Sequence, residues 1–179
     1  MRKRDKKYAD EYLVNPSATR YSSDSVVYVG KWYYFIKDET VVRRTKIMLF
    51  IISVLNMALF AVGGLWETEA SFTPYVFLPY IIAFLPIALS IGTTATALSF
   101  EKKITHKQYD RKILVQKAYS YALIVICTFT LICNLVMYFL KDDIVIGEDI
   151  VFSLCVVLIT VLSAVSLKLQ KNMKCSSDY

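Results

Sequence analysis

Charge is what long parts of this chain lack. Four stretches, 47–66, 74–100, 118–140 and 150–167, contain no Asp, Glu, Lys, Arg or His. All 21 Lys and Arg and all 15 Asp and Glu crowd into the other half of the 179 residues. A soluble domain spreads charge over its whole surface, and a disordered chain lacks long apolar runs, so neither class fits. Cysteine is too sparse and too badly placed for a secreted disulfide scaffold: Cys127, Cys133 and Cys155 lie within the uncharged stretches and Cys175 near the end.

The same absences remove most chemistry. Ion- or proton-coupled transport needs a group within a span that titrates or binds an ion, and none is there. That excludes an antiporter working through a buried carboxylate, though not a channel lined by Ser, Thr, Asn and backbone carbonyls. No Cys-x-x-Cys occurs, so the redox enzymes built on four-helix membrane bundles are excluded. The single histidine, His106, makes no His-Glu-x-x-His zinc motif. Five scattered glycines form neither a phosphate-binding loop nor a Gly-x-Ser-x-Gly elbow. No metal, cofactor or catalytic residue is expected.

What remains is 56% apolar with a net charge of +6, the composition of a small polytopic membrane protein. A hydrocarbon core about 30 Å thick takes roughly 20 helical residues. The four stretches therefore predict an all-α membrane protein with spans at 47–66, 74–100, 118–140 and 150–167. Short connections between spans one and two and between three and four predict two antiparallel hairpins. Basic residues orient them. Segments 1–46, 101–117 and 168–179 hold every Lys and Arg except Lys141, whereas 67–73 and 141–149 are acidic. The basic side is the cytoplasm, with both termini on it, and the membrane is expected to be the plasma or inner membrane. No apolar run follows the basic start until Ile47, so the first span is expected to be an uncleaved anchor.

Residues 1–25 are polar and read as a disordered basic tail. Residues 26–46 form a juxtamembrane segment with two readings. One is a short β-hairpin with strands near 26–36 and 40–44; the other is an interfacial segment. Loop 101–117 reads as helical, and 168–179 as a short cytoplasmic tail. Arg43, Arg44, Lys102, Lys103, Lys107, Arg111 and Lys112 are candidates to contact anionic lipid headgroups or an acidic partner. The basic residues have a sufficient topological explanation, so nucleic acid is not an expected partner.

Within the bilayer, small residues let helices approach. Ala88, Gly92 and Thr96 form one stripe on span two and are the expected packing face. Pro79 and Pro86 mark a bend or hinge in the same span. Asn56 and Asn134 should face the bundle, and a mutual pair is one way to satisfy them. Cys175 reads as a free thiol, with acylation the alternative.

The expected role is a non-enzymatic accessory, assembly or interaction subunit of a larger membrane complex or homo-oligomer. The alternative is a small channel or carrier for a neutral or weakly polar solute, lined by Pro79, Pro86, Asn56 and Asn134. An enzyme using Asp110, Arg111 or His106 is the third option. The orientation has a direct test. A glycosylation or reporter-fusion map should place residue 70 outside the cytoplasm, and a cytoplasmic signal there overturns it.

Overall fold

The structure is a computed structural model that describes residues 12–14, 26–65, 73–99, 103–140 and 146–177. Four long helices dominate: α1 (Glu39–Leu65), α2 (Pro74–Leu98), α3 (Val115–Leu140) and α4 (Ile146–Gln170). All four are long and apolar enough to cross a membrane. Five short strands accompany them: β1 (Tyr12–Val14), β2 (Val26–Tyr28), β3 (Trp32–Phe35), β4 (Lys103–Thr105) and β5 (Cys175–Ser177).

Three of the helices, α1, α3 and α4, run past their uncharged stretches because backbone hydrogen bonding, not the lack of charge, sets their ends. The helix α1 starts eight residues before Ile47, with Glu39 in its first turn, where a carboxylate meets the positive end of the helix dipole. Pro74 opens α2, at a position where its missing N–H costs nothing. Thr105 caps the helical run that leads into α3. Its hydroxyl accepts from the Gln108 N–H (3.3 Å), and its own N–H donates to Gln108 Oε1 (2.9 Å). A π-helical segment, Tyr109–Leu114, then leads into α3.

Three expectations about the shorter segments change. Residues 26–36 and 40–44 do not pair as a hairpin. Instead β2 pairs with β1, β3 is the centre strand between β4 and β5, and 40–44 belong to α1. Two isolated strands are marginal, and a strand flanked on both sides gains a second ladder. Loop 101–117 is helical only from His106, because 103–105 are drawn into the sheet. Within the segment 168–179, Cys175–Ser177 form a strand beside β3, with Tyr34 opposite both Lys103 and Ser176. Of the tail 1–25, only β1 is described. The rest of that expected disorder, the acidic tips Glu67, Glu69, Asp142 and Asp143, and Lys102 lie outside the described residues.

Each helix packs mainly on two others: α1 on α2 and α4, α3 on α2 and α4. The four therefore close a ring with α1 and α3 on its diagonal. The buried positions recur at three and four residues, for example Val76, Tyr80, Ala83, Ile87, Ser90 and Thr94 on α2. The main apolar core gathers Val76, Tyr80, Ala83, Ile87, Leu123, Cys127, Phe152, Val156 and Ile159. A second, smaller core joins Phe35, Val42, Leu49, Ile104, Ile113 and Met173 under the three-stranded sheet.

The inward line on α2 corrects the expected packing stripe within the bundle. Gly92 and Thr96 are exposed, and a Cβ at Gly92 would meet nothing within 4 Å. Ala88 is half-buried. A helix offers one face to its ring, and on α2 that face carries Val76, Tyr80, Ala83, Ile87, Ser90 and Thr94. The close approach occurs instead at Gly63 on α1. A Cβ there would lie 2.9 Å from Tyr80 Oη and 3.3 Å from Cys155 Cβ. Tyr80 cannot retreat freely: its hydroxyl donates to the Phe60 carbonyl and its ring stacks on Phe60 at 4.5 Å.

The two glycines should therefore respond differently. Gly63→Val should destabilise the fold by about 1–3 kcal/mol, the usual cost of overpacking, and Gly92→Val should leave it unchanged. Unfolding titrations in detergent micelles measure both, and equal effects would contradict this packing.

Candidate functional site

Polar side chains collect inside the bundle toward the end that carries the sheet. Ser53 on α1 and Ser90 on α2 share a hydrogen bond of 2.9 Å. Gln116 on α3 donates from Nε2 to the same Ser90 Oγ (2.8 Å), and Thr93 donates to Gln116 Oε1. These contacts tie three helices at one level. Ser120 Oγ on α3 lies 3.3 Å from Ser166 Oγ on α4. Gln170 Nε2 donates to both, at 3.2 and 3.1 Å. All of these except Thr93 are buried.

One turn farther from the sheet on their own helices lie Asn56 and Ser163. Asn56 Oδ1 and Ser163 Oγ are buried without a hydrogen-bond partner, as are Gln170 Oε1 and Asn134 Oδ1. Beyond that level the interior closes on the main apolar core, in which Ile87, Phe152, Val156 and Ile159 have almost no exposure. The interior is thus richest in polar groups toward the sheet, while toward the far end the apolar core is interrupted by Thr130 and by Asn134 with Ser153.

At the sheet end of this polar region is a partly open cavity. It is lined by Lys46 and Leu49 from α1 and by Thr93, Thr94 and Ala97 at the end of α2. Lys112, Ile113, Gln116, Gln170 and Met173 complete it. Lys46 is only 6% exposed, with its ammonium 5.1 Å from the centre of the Phe35 ring. That distance is within cation–π range.

The expected site residues are scattered among these features. Asn56 and Asn134 are both buried, but they do not pair. Asn134 Nδ2 donates to Ser153 Oγ on the adjacent α4 at 2.9 Å, whereas Asn56 sits on the helix diagonal to α3. Pro79 and Pro86 are buried within a continuous α2. Arg43, Arg44 and Arg111 are exposed, and Lys107 is half-buried. Of the seven basic candidates, Lys112 reaches the cavity. Lys103 lies in β4, paired with Tyr34.

His106 and Asp110 approach at 3.6 Å (Nε2 to Oδ2) beside stacked rings: Tyr33 lies 5.7 Å from His106 and 4.6 Å from Tyr109. This stack fastens β3 to the start of the third helical run. Among the described residues, no three His, Cys, Asp or Glu side chains gather as a metal site would require.

Sequence reasoning missed Gln116 and Gln170, because both fall just outside the uncharged stretches. A usable signal was the spacing. Gln116, Ser120, Leu123, Cys127, Thr130 and Asn134 alternate steps of four and three, and all six are buried.

No protein-family model, curated protein or solved structure matches this chain. The functional reading therefore rests on the geometry alone.

Cys175 lies in β5, half-buried against the small core. Burial pushes its thiol up to about 11, outweighing the lowering influence of Lys117 and Lys46. A raised thiol pKa favours the neutral, unreactive form, so at pH 8 only roughly one molecule in a thousand is thiolate. In a chain whose other three cysteines are alanine, iodoacetamide should modify Cys175 about a hundredfold more slowly than a free cysteine. The rate should climb with pH until about 11. A plateau near pH 9 would show that the thiol is not buried.

Proposed function

We propose that this chain is an integral membrane protein whose helices cross the bilayer as two antiparallel hairpins with both termini in the cytoplasm. Its membrane is the plasma or inner membrane. Its role is that of a non-enzymatic interaction or assembly subunit, which binds a larger membrane complex or a second copy of itself.

Membrane placement is supported by polarity turned inside out. Large apolar residues such as Leu78, Ile82, Leu85, Val125, Phe129 and Leu135 are exposed, while Ser53, Asn56, Ser90, Gln116, Thr130 and Asn134 are buried. In water, so large an apolar surface would drive association. In lipid it is the ordinary outer surface of a bundle. The contacts agree with antiparallel neighbours: α1 meets α2 at Ser53 with Ser90 and, farther along, at Phe60 with Tyr80. Orientation rests on the segregation of Lys and Arg to one set of connecting segments.

The observation that carries the interaction role is the outward face of α2. Gly92 has open space over its Cα and Thr96 is exposed. Small residues facing outward permit a backbone-close contact with another helix. Thr96 leaves its hydroxyl on its own helix, donating to the Gly92 and Thr93 carbonyls at 3.0 Å, so the face presents little that needs water.

A second reading, a carrier for a neutral or weakly polar solute, draws on one observation. Asn56 Oδ1, Ser163 Oγ and Gln170 Oε1 are buried acceptors without partners in the polar half of the interior. The apolar core beyond them closes any path in this conformation.

Purification in mild detergent separates the two. The interaction role predicts a stoichiometric partner or a dimer that is lost in Gly92→Leu, with the monomer still folded. A monomer that purifies alone, and whose Asn56 and Asn134 positions accept water-soluble thiol reagents when changed to cysteine, would favour the carrier.

A further inference from the structure

We propose that Arg43 and Arg44 set the lipid-facing edge of α1 and hold the phosphates of anionic phospholipid there, with Ile36 and Val41 seated beside them in the headgroup layer. The inference rests on the membrane placement proposed above and not on the interaction role.

Charge counting starts the first span at Ile47, because Lys46 is the last charge before it. Lys46, however, does not face outward. It is buried, with its ammonium over the Phe35 ring. A charge turned into the protein sets no limit on where lipid begins on the opposite face of its helix. On that outer face Val41, Arg44, Met48, Ile51 and Leu55 follow one another in steps of three and four, and all five are exposed. The buried line Val42, Thr45, Leu49, Ile52 and Asn56 runs beside it. The first outward charges on α1 are therefore Arg44 and its neighbour Arg43, three and four residues before Ile47. That is about 4.5–6 Å along the helix axis. A headgroup layer is roughly 5–7 Å thick on each side of the hydrocarbon, so both arginines fall at phosphate level.

Their surroundings suit phosphate. Neither side chain has a hydrogen-bond or ion-pair partner among the described residues, and the nearby carboxylates of Asp38 and Glu39 pair with neither. A guanidinium offers a phosphate two parallel N–H donors, a match that an ammonium cannot make. Apolar residues border the pair on both sides along the exposed line, Val41 before it and Met48 after it. Ile36 extends this border. It is 66% exposed, and its N–H donates to the Lys174 carbonyl at 3.1 Å, which fixes the backbone where β3 ends. The same bond brings the exposed Lys174 to this edge, and Lys37 follows in the chain. Exposed apolar residues among basic ones are the pattern of a segment lying in the membrane interface, where cations attract anionic lipid.

The test uses the full chain in vesicles of equal parts phosphatidylcholine and phosphatidylglycerol. The native cysteines are changed to alanine, and nitroxide labels are attached singly at Ile36→Cys, Val41→Cys and Leu55→Cys. The labels at 36 and 41 should exclude a water-soluble nickel chelate, relative to the same label on a short soluble peptide, while admitting oxygen. Free access of nickel to both, with Leu55→Cys still shielded from it, would overturn the proposal and leave the membrane placement standing. Free access of nickel at Leu55→Cys as well would sink the placement itself. Shielding of positions 36 and 41 from both reagents would show a protein partner on this edge and overturn the lipid assignment. Bound lipid is then counted by native mass spectrometry in mild detergent. Arg43→Gln and Arg44→Gln, both at exposed positions, should each lower phosphatidylglycerol retention about fivefold, the effect of one basic residue at an anionic surface. Phosphatidylcholine retention should not change. Lys31→Gln removes the same charge from the exposed connection between β2 and β3 and should have no effect. Equal losses in all three variants would reduce the effect to net charge and overturn the proposal.

Discussion

The organising constraint is that buried polar groups must find partners within the bundle itself. With the bundle in lipid, as proposed above, the apolar side chains gain nothing by leaving the surface, so the drive that sorts residues in water is missing. What does turn a helix face inward is the cost of leaving an amide or hydroxyl unpaired in hydrocarbon. The link from Ser53 to Ser90 to Gln116 answers that cost for three helices at once. Each such bond contributes only about 0.6 kcal/mol on average in a membrane. Their effect lies in rotation: once Ser90 and Thr94 face inward, Ala83 and Ile87 follow on the same line and Gly92 is carried outward.

The sheet imposes a second constraint at one end. The strand β3 brings together segments more than 60 residues apart, with β4 leading into the third helical run and β5 following α4. Under it, Phe35, Ile104 and Met173 form an apolar core that no helix supplies alone. This closure explains why the end of the chain is ordered despite its polar composition. It also explains the position of Lys46. The ammonium is held under Phe35 because the sheet covers the end of α1, and the cavity is the space left between that cover and the polar layer.

The helices were legible in the sequence because an uncharged run of about 20 residues matches the thickness of a bilayer and exceeds what a small soluble core can wrap. The sheet was not. β3 was visible as a β-branched and aromatic run, but its partners Lys-Ile-Thr and Cys-Ser-Ser are only three residues long, too short for a readable alternation, and are distant in the chain. Pairing of that kind is decided by the fold and not by local preference. The stripe at Ala88, Gly92 and Thr96 turns Gly92 and Thr96 out of the bundle for a related reason, and its role as a contact with a partner stays a proposal. Small residues report that a backbone approach is allowed, but not with what. Asn56 and Asn134 were rightly expected to be buried from their chemistry. Their pairing was not settled by depth alone, because depth does not say which helices are neighbours.

The interior's two halves bear on which of the two functional readings is simpler. For a solute to pass, the apolar core around Ile87, Phe152 and Ile159 would have to part. Pro79 and Pro86 each leave the carbonyl four residues earlier, on Tyr75 and Ile82, without its helical donor. Bending there is mechanically available, but it would separate Tyr80 from the Phe60 carbonyl and from its ring stack. It would also uncover apolar surface to the solute's path, with only Thr130 and the Asn134–Ser153 pair as polar groups on the far half. The interaction role asks for no such rearrangement, because the outward face of α2 is already open.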